Sequence, residues 1–271
     1  MLEAMQIRIH GADTLPTVVY LPGLHGDWTL VGNFRRQLTG KVRFVELTYP
    51  RTTTWSLDEY AVAIEVALAQ NGIRRGWLLG ESFGSQILWP LVGRGKFSVQ
   101  GIILAGGFVR HPLRCLVRLA EKIFGRLPFS VMVWAMYAFT KYVRIHFRDS
   151  PESLADIDEF AARRTRLDCL AATHRLHLIA VNDPRPVARA TALPLFYLTG
   201  LFDPVVPWPL VRYWLRKNCP ALRAVKVVRS ADHNVLGTGS KAAARQVVKW
   251  IAGEDLRLPL DNFALCSGSN L

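Results

Sequence analysis

The sequence predicts an α/β architecture in which a mainly parallel central sheet, flanked by helices, is interrupted by one helical insertion. Three observations predict it. Short, almost continuously apolar runs recur along the chain at the length of buried strands, helical patterns lie between them, and the alternation stops for some 80 residues before it resumes. Parallel strands covered on both faces require such runs because neither face meets water, and helices between them supply the crossovers. Half of the 271 residues are apolar and a fifth are charged, which is enough for one large core and argues against a disordered basic chain.

Taken in order, strands are expected at 17–21 (TVVYL), 42–47 (VRFVEL), 76–79 (GWLL) and 101–105 (GIILA), then at 195–199 (LFYLT) and 224–228 (AVKVV). Ser56 is placed to cap a helix with Glu59 answering it three residues on, and Ala61, Ile64 and Leu68 repeat at helical spacing until Asn71-Gly72 ends the pattern. A second helix should follow Gly84, and a last one should span 240–251 with Ala243, Val247 and Ile251 on one face. From 108 to 193 no strand pattern appears, and helices are expected at 116–124, 131–147 and 151–170. The chain is therefore divided into a core of 1–107 and 194–271 and an insertion of 108–193.

Charge is the other prominent feature. Lys and Arg number 34 against 21 Asp and Glu, giving +13 and a pI near 10.1. The basic residues are mostly arginine and are spread along the chain, without zinc-finger spacing, an RNA-binding aromatic signature or a basic zipper, so nucleic acid is not the expected partner. The insertion alone holds fourteen basic and eight acidic residues. Within it, 127–140 (LPFSVMVWAMYAFT) is the longest apolar stretch, bounded by Arg126 and Lys141. It falls short of the roughly 20 residues that span a bilayer, so it is read as a buried helix, with a membrane-facing or substrate-gating helix as the alternative.

Cys115, Cys169, Cys219 and Cys266 show no Cys-x-x-Cys pair, and the N-terminus carries an early acid and no signal-length apolar stretch. A reducing, cytoplasmic setting is expected. His174-x-x-His177 is expected to have no acidic partner nearby, and no metal site is expected.

The most informative stretch is Gly80-Glu81-Ser82-Phe83-Gly84, directly after a strand pattern and before a helical one. A Gly-x-Ser-x-Gly there describes a tight strand-to-helix turn that exposes its serine, with the glycines leaving room for close backbone approach. A serine hydroxyl needs a base, and the base an orienting acid. Asp203 follows the strand at 195–199, and His233 follows the one at 224–228. Asp232 adjoins His233, but neighbouring side chains on a short loop point apart, which makes it the poorer orienter.

These three motifs, in the order Ser82, Asp203, His233, resemble those of α/β-hydrolase-fold serine hydrolases over about residues 17–252. The resemblance implies a catalytic triad of Ser82, His233 and Asp203, no cofactor, and a cap formed by the insertion. Some members take the acid from the end of the strand before the cap, but here that site reads Ala105-Gly106-Gly107-Phe108-Val109, without a carboxylate. The resemblance also implies two backbone donors for an oxyanion, Phe83 and one from Leu21-Pro22-Gly23-Leu24-His25-Gly26-Asp27. There Leu24 is favoured by strand register over Asp27.

A serine at the elbow disfavours the dehalogenase and epoxide-hydrolase chemistries that use aspartate. The expected reaction is hydrolysis of a small apolar carboxylic ester or thioester, with acyl transfer to an alcohol as the enzymatic alternative and a non-catalytic binding module as the other. Val131, Met132, Trp134, Met136, Tyr137 and Phe139 suggest an apolar acyl or aryl pocket, and the basic flanks suit peripheral contact with an anionic membrane.

Overall fold

The computed structural model describes residues 4–128, 130–131, 138, 141 and 151–253. Seven strands form one sheet: β1 (Gln6–His10), β2 (Thr17–Leu21), β3 (Arg43–Thr48), β4 (Arg75–Glu81), β5 (Ser98–Ala105), β6 (Leu195–Gly200) and β7 (Leu222–Val228). Their order across the sheet is β1-β3-β2-β4-β5-β6-β7, with β1 antiparallel to β3 and every other neighbouring pair parallel. All six strands expected from the apolar runs are present. The additional strand, β1, has only Ile7 and Ile9 in alternation with polar residues, the pattern of an antiparallel edge that leaves one face wet.

Helices α1 (Gly32–Leu38), α2 (Leu57–Gln70) and α3 (Gly84–Arg94) lie between the early strands. Ser56 and Glu59 form the reciprocal cap at the start of α2. Between β5 and β6 come α4 (Arg114–Phe124), α5 (Pro151–Ala162), α6 (Arg166–Val181) and α7 (Arg185–Ala190), with no strand among the described residues there. The single helix expected at 151–170 is in fact two. Thr165 accepts from the Asp168 amide while the Asp168 carboxylate accepts from the Thr165 amide, so a new helix starts at Arg166. The helix expected at 131–147 and the apolar side chains read from it lie almost wholly outside the described residues. The fold closes with α8 (Trp208–Asn218), α9 (Val235–Thr238) and α10 (Ser240–Ile251), the last as expected. No helix among the described residues is long and apolar enough to cross a membrane.

Alternate side chains of the central strands divide into two apolar layers, one on each face of the sheet. Val19, Leu21, Leu78, Ile102, Leu104 and Tyr197 pack on one face with Tyr60 and Ile64 of α2 and Ile87 and Trp89 of α3. Val18, Tyr20, Leu79, Ile103 and Phe196 pack on the other with Phe34 of α1 and Trp250 of α10. Trp250 is fully buried and stacks on Phe196 with ring centroids 4.8 Å apart. Trp250→Ala should therefore lower stability by roughly 3–5 kcal/mol, measured by urea unfolding, because the partner rings and the helix axis cannot close the gap.

Candidate active site

The carboxyl ends of β2, β4, β6 and β7 bring the sequence-predicted residues together. Ser82 sits between the end of β4 and the start of α3 with φ +47°, the one non-glycine residue with positive φ among those described. Such a conformation costs a β-carbon-bearing residue of order 1–3 kcal/mol, so its surroundings must hold it. They do: the Ser82 amide donates to the Ala105 carbonyl at 3.0 Å, and Ser85 Oγ donates to the Ser82 carbonyl at 2.6 Å. Ser85 Oγ also accepts from the Phe108 amide, and Gln86 Nε2 donates to the Phe108 and Val109 carbonyls, tying the start of α3 to the loop after β5. A β-carbon on Gly84 would lie 2.0 Å from the Leu21 carbonyl oxygen, so only glycine lets α3 begin this close to β2.

His233 lies beyond β7 and Asp203 beyond β6. His233 Nε2 is 2.9 Å from Ser82 Oγ, and His233 Nδ1 is 2.8 Å from Asp203 Oδ2. A carboxylate only accepts, so the proton sits on Nδ1 and leaves Nε2 to accept from the serine hydroxyl. The other Asp203 oxygen accepts from the Val205 and Val206 amides at 2.9 and 2.8 Å, and the Asp203 side chain is fully buried. Asp232 turns away from the imidazole. Its carboxylate accepts from the Asn234 amide and the Thr238 hydroxyl, a role internal to its loop.

The end of β5 carries no acid, and at Gly106 the geometry leaves no room for one. A β-carbon on Gly106, where φ is +54°, would come within 2.7 Å of the His233 carbonyl oxygen.

The turn after β2 borders the serine: a β-carbon on Gly23 would lie 3.6 Å from Ser82 Cβ and from the His25 ring. Gly26 N–H donates to Gly23 O at 3.0 Å, closing the turn around Leu24 and His25. Neither the Leu24 nor the Phe83 amide has an acceptor among the described residues. Asp27, the alternative donor, is buried, and its carboxylate takes the Thr29 amide and hydroxyl and the Arg164 guanidinium. Burial pushes that carboxyl up, but the His25 charge at low pH, Arg164 and the Thr29 bonds outweigh it and hold it below the ordinary value.

Two features went unread in the sequence. Glu81, the first variable residue of the elbow, is buried and accepts a short bond from Tyr20 OH. Arg175 of α6 is 2% exposed and reaches the turn after β2. Its signal was present, since Ala171, Arg175, Leu178 and Ile179 share one buried stripe of the helix. One expectation is corrected: His177 does have an acidic neighbour, Glu121 Oε1 at 2.9 Å, because α4 packs beside α6. His174 instead bonds the Trp55 carbonyl, and no group of three or more metal-ligating side chains occurs among the described residues.

Burial lowers the pKa of His25, with Arg164 adding to the effect and Asp27 and Glu81 opposing it. Burial likewise lowers that of His111. Each therefore takes up its proton less readily in the fold than once unfolded, so stability is lost as pH falls below the unfolded value of 6.5. The melting temperature should drop between pH 7.5 and 5.5, and the drop should shrink in His25→Gln, which cannot titrate.

No protein-family model matches the sequence, and no curated protein matches it. Solved structures do. An esterase from Exiguobacterium antarcticum superposes with a TM-score of 0.73 at 15% identity, covering 92% of this chain and 95% of that one. A thermophilic esterase from Thermogutta terrifontis gives 0.71 at 17%, covering 92% and 93%. The enol-lactonase from Burkholderia xenovorans LB400 gives 0.71 at 17%, covering 92% and 96%. At such low identity, what is shared over nearly the full length of each is the architecture: the chain has the α/β-hydrolase fold.

Proposed function

We propose that the chain is a serine hydrolase that cleaves small carboxylic esters or thioesters with an apolar acyl or aryl group through an acyl-enzyme on Ser82. One observation carries this reading: a serine held at φ +47° whose hydroxyl is 2.9 Å from an imidazole that a buried carboxylate grips at 2.8 Å. Holding a serine in that backbone costs free energy, and a merely structural serine would have no need of it. The esterases and the enol-lactonase among the structural relatives agree with the class of reaction.

In the first half-reaction Ser82 Oγ attacks the carbonyl carbon and His233 Nε2 takes its proton. Asp203 stabilises the resulting imidazolium, which then protonates the leaving alcohol or thiol as the acyl bond breaks. Water attacks the acyl-enzyme in the second half, again with His233 as base, and releases the acid and Ser82. Phe83 and Leu24 are the proposed amide donors to the oxyanion. Phe83 begins the helix whose amides face the site, and the proximity of Gly23 to Ser82 supports Leu24 over Asp27. The helices of 108–193 are proposed as a cap on a core of 1–107 and 194–271. The apolar preference rests on the composition of 131–139 in the sequence. Acyl transfer to an alcohol would use the same acyl-enzyme.

We place the reaction in a reducing, cytoplasmic setting on the free thiols of Cys115, Cys169 and Cys219. Peripheral contact with an anionic membrane rests on α4. There Leu119, Ile123 and Phe124 are exposed beside exposed Arg118 and Lys122, an apolar and basic mixture suited to a lipid surface.

Ser82→Ala should reduce kcat/KM on p-nitrophenyl esters by about 10⁴-fold or more while leaving the fold intact, and unchanged turnover would exclude Ser82 as the nucleophile. Asp203→Asn should lose on the order of 10⁴-fold, because the imidazole would then favour the wrong tautomer. Asp232→Asn should stay within about threefold of the parent, since only loop bonds change, and the reverse ranking would reassign the acid. Turnover of the parent protein separates an enzyme from a binding module, and product analysis with added alcohol separates hydrolysis from transfer. Co-sedimentation with phosphatidylserine vesicles should be appreciable at low salt and weaken as salt rises; absence of binding would remove the membrane contact.

A further inference from the structure

The turn that carries the proposed oxyanion donor is held from outside the sheet. Arg175 of α6 donates from Nη1 to the Leu24 carbonyl at 2.9 Å and from Nη2 to the Pro50 carbonyl at 3.3 Å. Arg164, between α5 and α6, donates from Nη1 to the His25 carbonyl at 3.1 Å and pairs through Nη2 with Asp27. Both guanidiniums are nearly excluded from water: Arg175 is 2% exposed and the Arg164 side chain 7%. The carbonyls of the two central residues of the turn are thus bonded to arginines that the insertion supplies.

We propose that Arg164 and Arg175 are positioning residues that orient the Leu24 amide, so that docking of the insertion on the core completes the oxyanion site. This rests on the hydrolase reading above. The Gly23 carbonyl and the Leu24 N–H are opposite edges of one peptide plane, and the bond from Gly26 N–H to Gly23 O fixes how that plane is tilted. Gly26 can make that bond only while the turn stays closed at φ +83°, and the Arg175 guanidinium packs against it so tightly that a β-carbon there would lie 2.4 Å from Nη1. Arg175 holds the next peptide through the Leu24 carbonyl, and Arg164 the one after through the His25 carbonyl.

The arginines are themselves located. Arg164 also donates to the Phe160 carbonyl and lies over the Phe160 ring, while Arg51 of the core bonds Asp168, which caps α6. A carbonyl pair left without these donors would turn toward water and carry the Leu24 plane with it.

The test compares Arg175→Met, Arg175→Lys and Arg164→Lys with the parent on a p-nitrophenyl ester. Arg189→Lys serves as control, since Arg189 stacks on Trp214 and makes no bond to the turn. Arg175→Met should lower kcat by about 100-fold, in the range for loss of one oxyanion donor, with KM changed by no more than about twofold. The two lysine variants should fall between it and the parent, because one ammonium can replace only part of a guanidinium fork. Affinity for a trifluoromethyl ketone, which forms a tetrahedral adduct on the serine, should fall in step with kcat/KM across the set.

Values of kcat within about threefold of the parent in all three variants would overturn the proposal, as would an equal loss in Arg189→Lys. If Arg175→Met fails to fold, the lysine variants carry the comparison. Amide hydrogen exchange over residues 23–27 gives a readout independent of turnover: it should accelerate in the variants, and unchanged protection overturns the clamp. Failure of the hydrolase reading looks different, as a parent without turnover or a Ser82→Ala variant with full turnover.

Discussion

Everything at the proposed site depends on the left-handed backbone at Ser82. A helix can begin immediately at the carboxyl end of β4 only if the chain reverses in a single residue, and that residue pays in backbone strain. The strain is contained by bonds from both sides: the Ser82 amide is taken by β5 through Ala105, and its carbonyl by Ser85 at the start of α3. The reversal also forces α3 against β2, which is why Gly84 has no room for a side chain. The same closeness brings the turn after β2 beside the serine. A proposed nucleophile and a proposed oxyanion donor are therefore consequences of one steric arrangement.

Crowding at the strand ends also bears on which carboxylate meets His233. His233 passes so close to Gly106 that this position could not carry a carboxylate without displacing the histidine backbone. Nδ1 is instead met from beyond β6, where Asp203 is fixed by two backbone amides. Asp232, adjacent in sequence, is occupied in its own loop.

The net charge of +13 takes on a different meaning in three dimensions. Much of the arginine in the insertion points inward or along the surface to partners within the chain: Arg164 to Asp27, Arg175 to Leu24 and Pro50, Arg114 to the Ala180 carbonyl, Arg110 and Arg185 to Asp183. A guanidinium offers five donors in a plane, so it can be buried against carbonyl groups where a lysine would leave partners unmet. The preference for arginine over lysine thus reflects, in part, the carbonyls that Arg114, Arg164 and Arg175 must satisfy away from water.

The sequence alone determined the strands with continuous apolar runs, the capped helix α2, the terminal helix α10 and the places of Ser82, Asp203 and His233 just beyond strand ends, because each is written in local periodicity or in a short motif at a strand end. It did not disclose β1, whose two isoleucines in alternation are too short a signal, nor the break between α5 and α6, which depends on the Thr165 and Asp168 cap. Only the tertiary structure decided that His177 meets Glu121, that Arg164 and Arg175 grip the turn after β2, and that Gly106 must stay bare. Those relations join residues far apart in the chain, up to 151 positions in the case of Arg175 and Leu24, and no local pattern encodes which distant surfaces will pack together.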